Sequence, residues 1–217
     1  MTPFLGATLV ITIALLFVVL VLYTRRRERE RTEALKRVAE THGLAFQPEA
    51  ELGAVRSLGD AQLFGRGHSK RVSNLMTGRV GDDQVAVFDY RYTTGGGKSQ
   101  HTSHQTVVML PGAKPHLPDL QMAPENPLYK IAEAFGYQDI DIESAPEFSR
   151  RYVVKGADVE AIRAALYPGA ASYFAEHEGW TVEALSGTVA IYRADSRPKA
   201  EELTMFIESA CEAARSL

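Results

Sequence analysis

The order of hydrophobic and polar positions changes sharply along this chain. From Phe4 to Tyr23 the residues are apolar on every face of a helix, and none of them is charged. A run of about 20 residues rises roughly 30 Å, which matches the hydrocarbon core of a bilayer. The pattern therefore predicts a transmembrane helix over residues 4–23 rather than an amphipathic helix of a soluble core.

Positive charge follows the apolar run and does not precede it. Five arginines come directly after Tyr23: Arg25, Arg26, Arg27, Arg29 and Arg31. The positive-inside rule then predicts a short extracytoplasmic N-terminus over residues 1–3 and a cytoplasmic body. We expect a single-pass protein of the inner (plasma) membrane, with the lipid bilayer as a partner. Its membrane-interface residues would be Arg25, Arg26, Arg27 and Arg29.

Charged residues without Gly or Pro continue from Thr24 to His42, and Gly43 follows. This pattern predicts a juxtamembrane helix over residues 24–43. Residues 44–217 are expected to form one cytoplasmic domain. A Pro-rich stretch suggests a possible sub-boundary near residues 111–126.

Within that domain, segments with a period of two alternate irregularly with segments of helical period. The predicted strands are Ala61–Gly65, Val72–Val80, Gln84–Tyr92, His101–Leu110, Phe148–Lys155, Trp180–Leu185 and Thr188–Ala194. The predicted helices are Asn126–Phe135, Ala157–Leu166, Pro168–Glu178 and Pro198–Arg215. Strands in hairpins with separate helices favour an α+β fold: a mostly antiparallel sheet with packed helices.

The composition of the chain adds no function to this picture, but it argues against one class of partner. The formal net charge is -3 and the sequence pI is about 6.1, so no basic body predicts a nucleic-acid partner. Cys211 lies on the apolar stripe of the last predicted helix and is expected to be a buried small hydrophobe. No cofactor is predicted.

The stretch TTGGGKSQ at Thr93–Gln100 invites comparison with a phosphate-binding loop. Such a loop needs an earlier glycine where this chain has Tyr92, and it must open a helix. The residues after Ser99 alternate like a strand instead. The stretch therefore predicts a hairpin tip.

Side chains around this tip form a possible contact surface made of Tyr90, Tyr92, Lys98, His101 and His104. His101 and His104 could bind a metal only if a loop brought them together, because residues three apart on a strand face opposite sides. Phe88, Tyr90 and Tyr92 alternate with Asp89 and Arg91 along their strand. Core packing of the aromatic row is the preferred interpretation.

The stretch DIDIE places Asp139, Asp141 and Glu143 on one side of an extended segment. Three carboxylates on one face could bind Mg²⁺ or Ca²⁺, or serve as acid and base. They could equally be the solvated face of an edge strand. Arg150 and Arg151 are available to pair with them.

Three stretches resemble a group of uncharacterised bacterial proteins with a short N-terminal membrane span: LFGRGHSKRVSNLMTG, VAVFDYRYTTGGGKSQHTSHQTVVM and FGYQDIDIESAPEFSRRYVVKG. The resemblance extends over most of the chain after the apolar run. It implies a topology, and it implies no activity and no catalytic residues.

No serine-hydrolase, metalloprotease or catalytic Cys/His pattern occurs in the sequence. The leading hypothesis is therefore a membrane-anchored domain that binds a partner, either a protein or a lipid, rather than an enzyme. The alternative is a metal-dependent enzyme or ion-binding domain that uses Asp139, Asp141 and Glu143.

Overall fold

The N-terminal third of the fold is dominated by one long helix. The computed structural model describes residues 3–125, 139–166 and 168–217, with side chains from residue 11 onward. Helix α1 spans Pro3–Thr41 without interruption. It ends where predicted, because Gly43 adopts a left-handed φ of 66° and closes the last turn.

The two halves of α1 have different surroundings. Most large apolar side chains between Ile11 and Tyr23 are 50% to 65% exposed. In contrast, Leu35 and Ala39 are buried against the body of the protein. The helix therefore docks through its C-terminal half and projects beyond the body with its N-terminal half.

In the part of the chain that the structure describes, no helix combines the length and apolar character needed to cross a membrane. The predicted transmembrane helix, single-pass topology and inner-membrane location are therefore wrong.

One antiparallel sheet of eight strands organises the rest of the described residues. The strands are β1 (Ala45–Ala50), β2 (His68–Val80), β3 (Asp83–Thr94), β4 (His101–Leu110), β5 (Leu120–Pro124), β6 (Tyr152–Gly156), β7 (Thr181–Leu185) and β8 (Thr188–Tyr192). Their order across the sheet is β1-β2-β3-β4-β8-β7-β5-β6. The strands on either side of the expected sub-boundary thus belong to one sheet.

The remaining described helices are α2 (Leu52–Arg56), α3 (Pro146–Ser149), α4 (Val159–Leu166), α5 (Gly169–Glu176) and α6 (Leu203–Ser216). The larger core cluster unites one sheet face with α1 and α3 to α6. The smaller cluster lies on the other face, beneath α2 and the turn at residues 62–65. Both faces are thus covered, and the α+β class is as expected.

Cys211 on α6 is fully buried, as predicted from its position on the apolar stripe. Burial raises the pKa of its thiol to about 11. The thiol is therefore protonated at neutral pH and acts as a packing group.

Some local predictions are corrected. The expected strand Ala61–Gly65 is a 3₁₀ turn over Gln62–Gly65 that buries the adjacent side chains of Leu63 and Phe64. Phe148 lies in α3, so the following strand begins only at Tyr152. Strand β1 was not predicted. The expected helix Asn126–Phe135 lies outside the described residues.

The glycine-rich stretch forms the tip of the β3–β4 hairpin, as predicted. Thr94 pairs with His101 across the tip, and a short 3₁₀ turn spans Gly97–Ser99. Gly95 has a φ of 73°, and a Cβ there would lie 2.3 Å from the Ser99 carbonyl oxygen. Only glycine fits this position, so the backbone of the turn accounts for the glycine.

Candidate functional site

Helix α1 is attached to the sheet through a buried ion pair. The Arg31 guanidinium donates to both oxygens of Asp89 on β3, with Nε–Oδ2 at 2.8 Å and Nη2–Oδ1 at 2.9 Å. Arg31 also donates to the carbonyl oxygen of Pro198 at 2.7 Å. One side chain thus joins α1, the middle of the sheet and the segment before α6.

The Asp89 carboxylate is held from the sheet as well. The Thr106 hydroxyl donates to Oδ1 at 2.7 Å, and the Asn74 amide donates to Oδ2 at 3.0 Å. Burial raises the pKa of Asp89, but the donors Arg31, Thr106 and Asn74 outweigh it and leave the pKa below its ordinary value. Asp89 is therefore an anion at neutral pH.

A β-bulge places Asn74 at this position. Ser73 pairs with Asp89 and Met76 pairs with Val87, so two residues of β2 stand opposite Phe88 alone. Asn74 takes a left-handed φ of 55°, which asparagine tolerates better than most residues. Its side chain is only 1% exposed. Its Oδ1 atom has no hydrogen-bond partner within the described residues.

Beside the Asp89–Arg31 pair lies a groove between α1 and strands β1 to β4, which we call the α1 groove. Its inner pocket has a volume of about 240 Å³, and a shallower outer part has about 910 Å³. Five residues line both parts: Glu28, Thr32, Glu49, Arg71 and Arg91. The inner pocket adds Pro48, Ser73, Asn74, Asp89, Tyr90, His104 and Arg197, and the outer part adds Thr24, Arg25, Arg29 and Glu33.

The charged lining of the α1 groove combines five arginines with four acids. Arg197 binds Glu28 through two hydrogen bonds of 2.8 and 3.1 Å. Arg71 pairs with Glu49. Arg91 also lines the groove, and its side chain makes no hydrogen bond or ion pair within the described ranges.

The pKa of His104 is set by burial and by the charges around the inner pocket. Burial lowers the pKa of His104 most, and the cations of Arg197 and Arg91 lower it further. The imidazole is therefore held in its neutral form more firmly than a free histidine. Two arginines from different elements thus act on one point of the pocket.

The arginines predicted at a membrane interface divide between two surroundings. Arg25 and Arg29 line the outer part of the α1 groove. Arg26 pairs with Glu30 at 2.7 Å, and the Arg27 guanidinium lies 5.1 Å from the centre of the Tyr23 ring. Two of the four therefore contribute to the groove, and two are engaged within α1.

The predicted contact surface around the hairpin tip is not assembled as expected. Tyr90 is 1% exposed and Tyr92 is 9% exposed, because both pack in the smaller core cluster. Together with Phe88 they form an aromatic row in the core, which is the interpretation that the sequence favoured. Lys98 is exposed at the tip. His101 meets Asp195 at 3.2 Å, while His104 lines the inner pocket.

The DIDIE segment lies along strand β6 and binds its backbone. Ile140 and Ile142 are buried, while Asp139, Asp141 and Glu143 face solvent, so the expected alternation is present. Asp139 Oδ1 accepts the Val154 amide at 2.9 Å, and the Ile140 amide donates to the Val154 carbonyl oxygen at 2.9 Å. These bonds close the outer edge of β6.

Nothing in this arrangement gathers ligands for a cation. Within residues 3–125, 139–166 and 168–217, no group of three or more His, Cys, Asp or Glu residues is placed to hold a metal ion. Arg151 pairs with Glu178 and Arg150 with Glu147, rather than with the DIDIE carboxylates. The geometry therefore lends no support to a metal or acid–base role there.

A second buried cluster lies on the opposite sheet face, and sequence reasoning missed it. Glu183 on β7 is fully buried and accepts hydrogen bonds from the Leu63 amide at 2.7 Å and the Tyr192 hydroxyl at 2.8 Å. The Arg66 guanidinium donates to it at 2.5 Å. The cluster fastens the turn at residues 62–65 to the sheet.

Asp89 also escaped prediction, although one signal was present. Asp89 lies on the same strand face as Val85 and Val87, which is an apolar face until Asp89 interrupts it. An acid that interrupts a buried face predicts a buried partner. That partner is Arg31, which lies 58 residues away in the chain. The residues around Asp89 therefore could not identify it.

The geometry defines the class of this protein as an α+β domain with an eight-stranded antiparallel sheet and a projecting N-terminal helix. Comparison with solved structures finds the crystal structure of the mycobacterial trehalose monomycolate transport factor A, TtfA, at a TM-score of 0.58. The match covers 87% of this chain and 92% of that chain, at 12% sequence identity. At that identity the likeness shows the fold alone.

The other comparisons add no family. No protein-family model matches the chain, and no curated protein matches it either. The resemblance to uncharacterised bacterial proteins therefore stays a prediction.

Proposed function

We propose that this protein is a binding module and that its partner is another protein, held at the α1 groove. The observation that carries the proposal is the inner pocket, which is lined by charged side chains from α1, three strands and the segment after β8. Surfaces built from several elements and rich in arginine are typical of protein interfaces.

The surroundings of the groove support the same function. The groove lies where α1 leaves the body. Its lining begins at Thr24, next to the exposed apolar side chains of Ile11–Tyr23. Exposed apolar surface on this scale marks an interaction region. A partner at this junction meets charged and apolar surface side by side.

The fold neighbour is consistent with a binding role of this kind. TtfA is a trehalose monomycolate transport factor, and its fold resembles that of this chain. We propose only the general part of that role for this chain: an interaction that serves transport. No observation favours a second function, since the DIDIE carboxylates are not gathered into a site.

Site-specific photo-crosslinking in cells of the source organism tests this proposal. A photoreactive residue replaces Arg71 in the groove, Lys98 at the hairpin tip or Glu160 on α4, each exposed in the full-length chain. We expect one discrete protein adduct from position 71, identified by mass spectrometry, and none from positions 98 and 160. Equal adducts from all three positions, or none from position 71, would contradict the proposal.

A further inference from the structure

The inner end of the α1 groove has the features of a site for a specific chemical group. We propose that it binds a carboxylate side chain of an extended acidic peptide segment, with Arg91 as the charge partner and Asn74 as the acceptor for a peptide N–H. This inference rests on the proposed function, because it assigns the part of the protein partner that enters the groove.

Arg91 is the cation that is available to a ligand. Its neighbours Arg71 and Arg197 are already paired with Glu49 and Glu28. Arg91 has no ion pair within the described residues, and it lines both the inner and the outer part of the groove. A guanidinium in this state matches a carboxylate in geometry and charge.

Asn74 supplies the second half of the recognition. Its amide nitrogen donates to Asp89 Oδ2, and a carboxylate can only accept, so the orientation of the amide is fixed. The oxygen Oδ1 then remains as a buried acceptor with no partner in the described part of the chain. Leaving such an acceptor unmatched is costly, and a ligand that donates a hydrogen bond there removes the cost.

Peptide chemistry meets both requirements at once. An acidic residue provides a carboxylate, and its backbone provides N–H donors within a few ångströms. Inorganic phosphate provides charge but, as a small symmetric anion, does not need the neighbouring outer part of about 910 Å³. The outer part adds Arg25 and Arg29 for further acidic residues of the same segment.

Fluorescence anisotropy with the full-length chain tests this inference. The probe is a labelled peptide of six glutamates, and the matched probe has six glutamines. We expect binding of the glutamate peptide only, weakened about tenfold or more by Arg91→Gln, which removes a charge-assisted hydrogen bond. Arg79→Gln is the control, because Arg79 is exposed on β2 and lies outside the groove lining.

Two further arms identify the source of the bound group. A glutamate peptide with N-methylated backbone amides should bind several-fold more weakly, because it cannot donate to Asn74. Inorganic phosphate should compete only weakly. Phosphate that binds as tightly as the peptide overturns the peptide assignment, and so does a glutamate peptide that binds Arg91→Gln as well as the unchanged protein.

The outcomes separate this inference from the proposed function. A protein adduct at position 71 combined with no binding of the glutamate peptide overturns the carboxylate site and leaves the binding module in place. Loss of the adduct at position 71 overturns the module itself.

Discussion

Two buried carboxylate–arginine pairs lie on opposite faces of one sheet, and they differ in what surrounds them. Glu183 is 0% exposed and is enclosed by Arg66, Tyr192 and the Leu63 amide. Asp89 is equally well hydrogen-bonded, but the inner pocket of the α1 groove opens beside it. One pair is sealed into the core, and the other borders a cavity that a ligand can enter.

The electrostatics of the two pairs show the same difference. Burial alone would lower the pKa of Arg66, but its contacts with Tyr192 and the Glu183 carboxylate raise it above its ordinary value. The inner pocket beside the Asp89–Arg31 pair is also lined by Arg91, which makes no ion pair among the described residues. A closed pair therefore serves stability, whereas an open pair beside an arginine without an ion pair can also serve recognition.

The largest effect is expected from Glu183→Gln. The change removes a fully buried negative charge and leaves the Arg66 cation without its partner. We expect the free energy of unfolding to fall by about 3–5 kcal/mol, measured by urea denaturation. Glu160→Gln on α4, where the side chain is 84% exposed, is the matched control and should change it by less than about 0.5 kcal/mol. Equal losses of unfolding free energy in the two variants would show that the Glu183–Arg66 pair is not enclosed in the core.

Asp89→Asn is expected to have the next largest effect, about 2–3 kcal/mol, because the Arg31 side chain is 14% exposed and water can solvate part of its unpaired charge. Loss of the pair also loosens the docked half of α1. Trypsin should therefore cut faster after Arg31 in the variant than in the unchanged protein, at concentrations that leave the body intact. Unchanged cleavage would show that Leu35 and Ala39 hold α1 without the ion pair.

The dependence of stability on pH isolates the Asp89 charge. The pKa of Asp89 is lowered in the folded protein, so its stabilising contribution is complete above the unfolded pKa of about 3.9 and is lost as pH falls through the folded pKa. The difference in unfolding free energy between the unchanged protein and Asp89→Asn should be constant from about pH 5 to 7 and shrink below about pH 4. A difference that stays constant to pH 2 would mean that the carboxylate charge is not what stabilises the site.

Arg91→Gln should have the smallest effect on stability, less than about 0.5 kcal/mol, because Arg91 makes no ion pair within the described residues. It should still raise the pKa of His104, since the Arg91 cation contributes to lowering it. An NMR titration of the imidazole measures this shift, and Arg79→Gln is the control without effect. An unchanged His104 pKa in Arg91→Gln would show that the Arg91 cation does not act on the inner pocket.

The sequence allowed much of the sheet to be predicted, because its strands alternate over long stretches. Val72–Val80 and Gln84–Tyr92 surround a turn with glycine, and β2 and β3 form the expected hairpin there. The burial of Phe88, Tyr90 and Tyr92 also followed from alternation. These predictions succeed where local residues decide local structure.

The wrong predictions concern segments whose structure depends on residues far away in the chain. The turn at Gln62–Gly65 looked like a strand, but the Leu63 amide binds Glu183, which is 120 residues later in the chain. The arginines after Tyr23 pointed to a membrane interface, whereas Arg31 binds inside the body. The α1 groove itself could not be predicted, because its lining comes from α1, four strands and the segment after β8.

The hydrogen bond from Arg31 to the Pro198 carbonyl oxygen has a consequence for synthesis on the ribosome, because 167 residues separate the two partners. At roughly 5–20 residues per second, Pro198 is made on the order of 10 seconds or more after Arg31. Strand β8, which completes the sheet beside β4, is made only shortly before it. The contact of helix α1 with Pro198 therefore forms only after β8 has been made, so this part of its docking is a late step in the maturation of the protein.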